Sequence, residues 1–113
     1  MTSSDNQQRY KLVVYVPTEH AEAVRNAAFA AGAGQIGNYS NVSFTSSHGI
    51  SNFTPSKSAN PAIGTPGLAE QVDEVRIEIT VVGKDVVKDA VERVRRAHPY
   101  EEVVVDIYRL EDF

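Results

Sequence analysis

The order of strand-like and helix-like segments along the chain constrains its fold more than any other feature. Residues 75–81 alternate apolar and polar side chains with a period of two, which indicates a strand with one buried face. A helix follows between Gly83 and Pro99, with Asp85 placed to cap it and apolar residues at helical spacing. Residues 102–110 are rich in β-branched side chains and predict a final strand.

The first half of the chain has the same order of elements. Residues 10–16 are rich in β-branched and aromatic side chains, which favours a strand that Pro17 ends. Thr18 is placed to cap a helix, and Gly32 is placed to end it. A second strand is predicted over residues 39–45.

The two halves together predict a β-α-β-β-α-β chain. This is the α+β, ferredoxin-like plan, with a four-stranded antiparallel sheet and two helices on one face. Residues 46–71, between the second and third strands, are dominated by serine, glycine, proline and asparagine, and so long a loop is more often functional than inert. Residues 1–9 are predicted to be a disordered N-terminal tail, and residues 10–113 a single domain.

The composition excludes several classes of function. The chain of 113 residues has no cysteine, which excludes disulfides, thiolate catalysis and cysteine-ligated metal centres. Its formal net charge of -4 argues against contacts with phosphates, so no nucleic-acid partner is expected. No apolar run has the length of a membrane-spanning helix, and the first residues lack the apolar core of a signal peptide. We therefore expect no membrane partner and a cytoplasmic location.

The predicted topology brings the histidines to one end of the sheet. The end of the first strand, the long loop and the segment after the second helix share this rim. The residues predicted there are all three histidines and three glutamates, namely His20, His48, His98, Glu74, Glu101 and Glu102. An imidazole and two carboxylates in residues 98–102 could hold a divalent metal ion or a polar ligand. The structural alternative is a helix end, where Pro99 stops the helix and Tyr100 packs inward.

Two other patterns have structural explanations. Residues 32–37 match G-x-G-x-x-G, but dinucleotide binding needs a strand before that motif and a helix after it. Here the order is reversed, so helix ending and close backbone packing explain the glycines better. Arg76 and Glu78 share the polar face of the third strand, which either faces solvent or pairs with another subunit.

Several separated motifs resemble one known family. They are Gly32-Ala-Gly34-Gln-Ile-Gly37-Asn38-Tyr39, Ser43-Phe44, Phe53-Thr-Pro55, Asn60-Pro61, Ile63-Gly64, Glu74-Val-Arg76-Ile-Glu78, and His98-Pro-Tyr-Glu-Glu102 followed by Asp106-Ile-Tyr108. In this order they resemble the YqfO-type domain, the PII-like (CutA-like) module of the NGG-interacting-factor-three family, which also occurs as a stand-alone short protein. The resemblance covers roughly residues 10–110.

The resemblance implies a PII-like subunit of a homo-oligomer, with a trimer favoured, that binds ligands in clefts between subunits. The loops at residues 46–71 and 98–102 would border such a cleft. Larger family members bind two metals through flanking domains that lie outside this sequence. The resemblance therefore does not extend their hydrolase or cyclohydrolase activity to this chain.

We expect a small oligomeric protein that is not an enzyme and that binds a small-molecule ligand or a divalent metal ion in a regulatory or sensing role. The alternatives are a structural oligomerisation module without a ligand, and an accessory part of a metal-dependent hydrolase. No catalytic residue is assigned, and a divalent metal ion is the one cofactor considered. The candidate ligand-binding residues are Tyr39, His48, Glu74, Arg76 and Tyr100, and the candidate metal ligands are His20, His98, Glu101 and Glu102.

Overall fold

The sheet is built around two long neighbouring strands. The computed structural model describes residues 6–113. The strands are β1 (Arg9–Pro17), β2 (Phe44–Thr45), β3 (Gly49–Phe53), β4 (Glu70–Val82) and β5 (Val105–Arg109). β1 pairs antiparallel with β4 along its whole length and with β5 on its other side. β2 and β3 both pair antiparallel with β4, so the sheet of the described chain has five strands.

Two helices cover one face of this sheet. A 3-10 turn (Thr18–His20) leads into α1 (Ala21–Ala30), and α2 (Lys84–Ala97) follows β4. The apolar residues of each helix recur at helical spacing, so each helix buries one stripe. The core between helices and sheet includes Leu12, Val14, Val16, Val24, Ala28, Ile77, Ile79, Val81, Val87, Ala90 and Val94. The predicted α+β class and ferredoxin-like plan are confirmed.

The stretch predicted as one long loop, residues 46–71, contains a strand. β3 runs back along the first residues of β4, and β4 begins at Glu70 rather than at Val75. We call β3, residues 54–69 and residues 70–74 the arm. The alternation could not predict it, because Val72 lies three residues before Val75 and therefore on the opposite face of the strand.

The second strand is much shorter than predicted. Only Phe44–Thr45 pair with β4, whereas residues 39–45 were expected to do so. Gly37 and Asn41 have φ angles of 55° and 57°, which an extended strand does not accommodate. The connection from α1 therefore turns twice before it reaches the sheet. At the other edge, β5 begins at Val105 rather than at residue 102.

The helix starts also differ from the prediction. Thr18 opens the 3-10 turn without capping it, because Pro17 is the N-cap residue and no side chain bonds to the exposed N–H groups. Asp85 lies in the first turn of α2, since Gly83 with φ of 102° is the N-cap residue there. A carboxylate in that first turn still favours the helix dipole.

The glycines after α1 have the structural roles expected of them. The N–H of Gly32 donates to the Phe29 carbonyl oxygen at 2.9 Å, and that of Ala33 donates to the Ala28 carbonyl oxygen at 3.2 Å. This is the Schellman ending of a helix. A Cβ on Gly34 would lie 2.8 Å from the Val42 carbonyl oxygen, so only glycine fits there. The motif therefore ends a helix and does not open one.

The predicted N-terminal tail falls partly outside the described residues, because these begin at residue 6. Arg9 is the first residue of β1, and the Gln8 side chain donates to the Leu110 carbonyl oxygen at 2.9 Å. β1 thus begins at Arg9, and the single domain of residues 10–113 stays a prediction. Over residues 6–113, the helices are too short or too polar to traverse a lipid bilayer.

Candidate functional site

The rim predicted from the topology forms where β1 ends. Pro17 lies opposite Glu74, and Val14 lies opposite Val105, so the arm and the segment that precedes β5 meet at this end. A cavity of about 650 Å³ opens between the arm and residues 98–104. This volume is within the range of small-molecule sites in proteins.

The cavity has an apolar wall and a polar floor. Phe53, Ile63 and Val104 contribute to the wall. Five of the predicted site residues line the cavity, together with Ser51: they are Glu74, His98, Tyr100, Glu101 and Glu102. Of the six residues predicted to share the rim, Glu74, His98, Glu101 and Glu102 thus line one cavity, whereas His20 and His48 do not.

Glu74 is the buried carboxylate of the floor, with 5% of its surface exposed. Its Oε2 accepts a hydrogen bond from the Tyr100 hydroxyl at 2.6 Å, and its Oε1 accepts one from the Ser51 hydroxyl. Burial, followed by the hydrogen bond to Glu74, raises the pKa of Tyr100, so the phenol keeps its proton. The network joins the arm, through Ser51, to the segment before β5, through Tyr100.

His98 fixes the same segment against β1. Its Nε2–H donates to the Tyr15 carbonyl oxygen at 2.7 Å, and its Nδ1 accepts the N–H of Tyr100 at 3.2 Å. These two partners define the neutral tautomer with the proton on Nε2. Burial lowers the pKa of His98, against the opposing effects of the Tyr15 hydrogen bond and the charge of Glu74. The imidazole is therefore a neutral link with both nitrogens engaged.

The four candidate metal ligands do not form a metal centre in this structure. Over residues 6–113 no group of three or more histidine, aspartate or glutamate side chains is placed to hold a metal ion. His98 has no free ring nitrogen, and Glu101 accepts the N–H of Asn60 at 2.9 Å. His20 is half-buried before α1 and does not line the cavity. Metal binding by His20, His98, Glu101 and Glu102 stays a prediction.

Three candidate ligand-binding residues lie outside the cavity. Tyr39 is exposed in the connection between α1 and β2, and His48 is exposed just before β3. Arg76 lies on the sheet face that has no helices, where its Nε is 2.8 Å from Glu78 Oε2. It also donates to the Tyr15 hydroxyl and lies over that ring. The cavity therefore involves Glu74 and Tyr100 but not these three side chains.

Ser51 and Phe53 are among the lining residues that the sequence did not predict, because they belong to the stretch that was predicted to be a loop. Both point to the same face of β3, since they are two residues apart. Residues 50–53 read Ile-Ser-Asn-Phe, which does not alternate polar and apolar side chains, so no period of two indicated a strand there.

Comparison with known proteins supports the resemblance drawn from the motifs, although no family model matches the chain. A protein of Bacillus subtilis named GTP cyclohydrolase 1 type 2 homolog is 52% identical over 101 residues, which are 89% of this chain and 26% of that protein. The crystal structure of a Bacillus cereus protein related to NIF3 is 40% identical with a TM-score of 0.79. The match covers 94% of this chain and 26% of that one.

The fold extends to a second group of proteins. The divalent ion tolerance protein CutA1 from Ehrlichia chaffeensis has a TM-score of 0.68 at 14% identity, which shows a shared fold alone. That match covers 95% of this chain and 85% of CutA1, whereas this chain spans about a quarter of the relatives it matches in sequence. The chain is therefore a relative of one segment of the NIF3 and GTP cyclohydrolase 1 type 2 homolog proteins, and this segment has the CutA-like, ferredoxin-like fold.

Proposed function

We propose that the cavity between the arm and residues 98–104 binds a small molecule, and that the protein is a regulatory or sensing homo-oligomer and not an enzyme. The observation that carries this proposal is the buried Glu74, which accepts hydrogen bonds from both walls of the cavity. One carboxylate thus holds the arm and the segment before β5 together. A ligand that contacts both walls would change how firmly the arm is held.

The polar groups of the floor support binding better than they support catalysis. Both oxygens of Glu74 accept hydroxyl hydrogen bonds, and both nitrogens of His98 are engaged with the backbone. A general base needs a free acceptor within reach of the substrate. The cyclohydrolase name belongs to relatives of which this chain matches about a quarter, so it gives no activity to this chain.

Thermal unfolding with a panel of small molecules tests the proposal. The panel contains organic cations, organic anions, nucleosides and divalent metal ions. A compound that binds only the folded protein raises the unfolding temperature in proportion to its concentration and affinity. We expect at least one class to do so.

Two matched substitutions show whether such a shift comes from the cavity. Ala62 is exposed and lines the cavity, so Ala62→Trp fills it without touching the hydrogen-bonded floor. Ala69 is exposed in the same arm but does not line the cavity, so Ala69→Trp is the control. The shift should disappear in the first variant and persist in the second. An equal shift in both variants, or no shift with any compound, would contradict the proposal.

A second candidate function, a structural oligomerisation module, is favoured by the sheet face without helices. Phe44 lies opposite Glu78 on this face and is 62% exposed, and Tyr108 lies opposite Lys11 and is 51% exposed. Exposed aromatic side chains on an uncovered sheet are typical of protein contacts. We propose that this face contributes to a homo-oligomer, for which a trimer is the expectation from the resemblance. The cytoplasmic location expected from the sequence belongs to the same proposal.

A further inference from the structure

We infer that the cavity selects an organic cation, namely a protonated amine or amidine attached to an apolar body. This inference rests on the proposed function, because it names the class of ligand for the same cavity. Three features of the cavity support it: the charges that face it, the acceptors left free at its mouth, and its apolar wall.

The charged side chains that line the cavity are all acidic. They are Glu74, Glu101 and Glu102, and no lysine or arginine is among the lining residues. His98 adds no positive charge, because its hydrogen bonds define the neutral tautomer. A ligand carboxylate or phosphate would therefore meet only like charges, whereas a cation is attracted.

The acceptors available to a ligand are at the mouth of the cavity. Each oxygen of Glu74 already accepts a hydrogen bond from a hydroxyl group. One oxygen of Glu101 accepts the N–H of Asn60, while the Glu102 carboxylate has no hydrogen bond or ion pair with any residue from 6 to 113. Both glutamates are exposed. An ammonium or amidinium group can donate charge-assisted hydrogen bonds to these two carboxylates.

The wall behind these carboxylates favours an organic body over a bare metal ion. Ile63 and Val104 present aliphatic surface, and the rings of Phe53 and Tyr100 lie 6.2 Å apart between centroids at an angle of 52°. Aromatic faces attract cations, and apolar surface gains free energy when it is removed from water. A hydrated divalent ion would use neither surface.

Calorimetric titration with three probes of one shape tests the inference. Phenethylamine is a cation, 3-phenylpropionate is an anion and 2-phenylethanol is neutral, and all three carry the same aromatic ring. We expect phenethylamine to bind the wild-type protein about tenfold or more tightly than 3-phenylpropionate, with 2-phenylethanol between them. Added sodium chloride should reduce the preference in the unmodified protein, because salt screens exposed charges.

A double substitution identifies the carboxylates responsible. Glu101→Gln with Glu102→Gln keeps the size of both side chains and removes their charge, so the preference for phenethylamine should fall to about twofold or less. The control pair, Glu92→Gln with Glu111→Gln, removes the same charge from exposed positions that do not line the cavity. The preference should persist in this control.

The possible outcomes separate the inference from the proposed function. If 3-phenylpropionate or 2-phenylethanol binds as tightly as phenethylamine, and Ala62→Trp abolishes that binding, the cavity binds ligands but does not select cations. If the control pair weakens phenethylamine as much as the cavity pair does, net charge and not the cavity sets the preference, and the inference is overturned. If no probe and no compound of the thermal panel binds, both the inference and the proposed function fail.

Discussion

Among residues 6–113, the polar or charged residues that are buried are Glu74 and His98. A buried polar group destabilises the fold unless its hydrogen bonds are satisfied. Within these residues, no buried side-chain nitrogen or oxygen lacks a hydrogen-bond partner. The sequence placed both residues on the correct rim, because antiparallel topology determines which segments meet there. It could not show their burial, which depends on Tyr100 turning inward and on Ser51 of the arm.

The Tyr100 hydroxyl should contribute measurably to stability. Tyr100→Phe removes the donor to a buried carboxylate and keeps the ring, so we expect a loss of about 1 to 2 kcal/mol in the free energy of unfolding. Urea denaturation followed by circular dichroism measures it. Tyr108→Phe is the control, because that side chain is 51% exposed and its hydroxyl has no partner in the described chain. Equal losses in the two variants would mean that the network does not stabilise the rim.

His98 should make stability fall as the solution becomes acidic. Burial places its folded-state pKa below the ordinary value of 6.5, so the unfolded chain binds the proton more readily. The contribution is complete above about pH 6.5 and is lost as the pH falls through 6.5 towards the lower folded-state pKa. Urea denaturation at about pH 7.5 and about pH 5.5 measures this loss.

Two histidine variants isolate the effect of His98 from other titrating groups. His98→Gln should lose less stability between the two pH values than the wild-type protein does, whatever its stability at pH 7.5. His48→Gln should match the wild-type protein, because His48 is exposed. If His98→Gln keeps the full pH dependence, another group is responsible.

At the scale of elements, periodic patterns predicted the strand and helix that pack against the core, and they missed the arm. Residues 75–81 and α2 were predicted because their apolar side chains face one core with a regular period. The arm has no such period, since Glu74 and Val75 are adjacent and both buried, one beneath residues 98–104 and the other beneath the helices. The buried face of β4 thus changes along the strand.

The two parts of β4 should differ in hydrogen exchange. Residues 75–82 pair with β1 over their whole length and are covered by the helices, whereas residues 70–73 pair with β3 alone. Local opening therefore costs less free energy in the arm, and its amides should exchange faster by at least about tenfold. Exchange followed by NMR compares the two parts within one strand. Uniform protection along β4 would show that the arm and the core open as one unit.

For the whole molecule, the two proposed functions belong to two surfaces: ligand binding to the cavity, and contacts between subunits to the sheet face without helices. The cavity lies at the rim, between the arm and residues 98–104, whereas Arg76 lies on the open face of β4. Tyr15 connects the two places, because it lines the cavity and accepts a hydrogen bond from Arg76. The sequence left open whether Arg76 and Glu78 face solvent or a subunit. Within the chain the two side chains pair with each other.

Reversing the charge of Arg76 should reduce the size of the oligomer. Arg76→Glu places two glutamates together on the open face, and like charges at a subunit contact repel. Light scattering should give a multiple of 12.4 kDa for the wild-type protein, with three chains expected, and a lower mass for the variant. Arg93→Glu breaks a comparable ion pair with Asp89 on α2 and should leave the mass unchanged. A monomeric wild-type protein would contradict the homo-oligomer.

The central claim, that the cavity is a binding site, is tested most directly by NMR titration of the isotope-labelled protein with phenethylamine and a mixture of small fragments. The amide signals of Ser51, Phe53 and Tyr100 should shift in a saturable way, while those of Lys88 and Arg93 on the outer face of α2 should stay in place. Saturable shifts at the cavity that disappear in Ala62→Trp are the predicted result. Shifts confined to other surfaces, or none with any fragment, would contradict the claim.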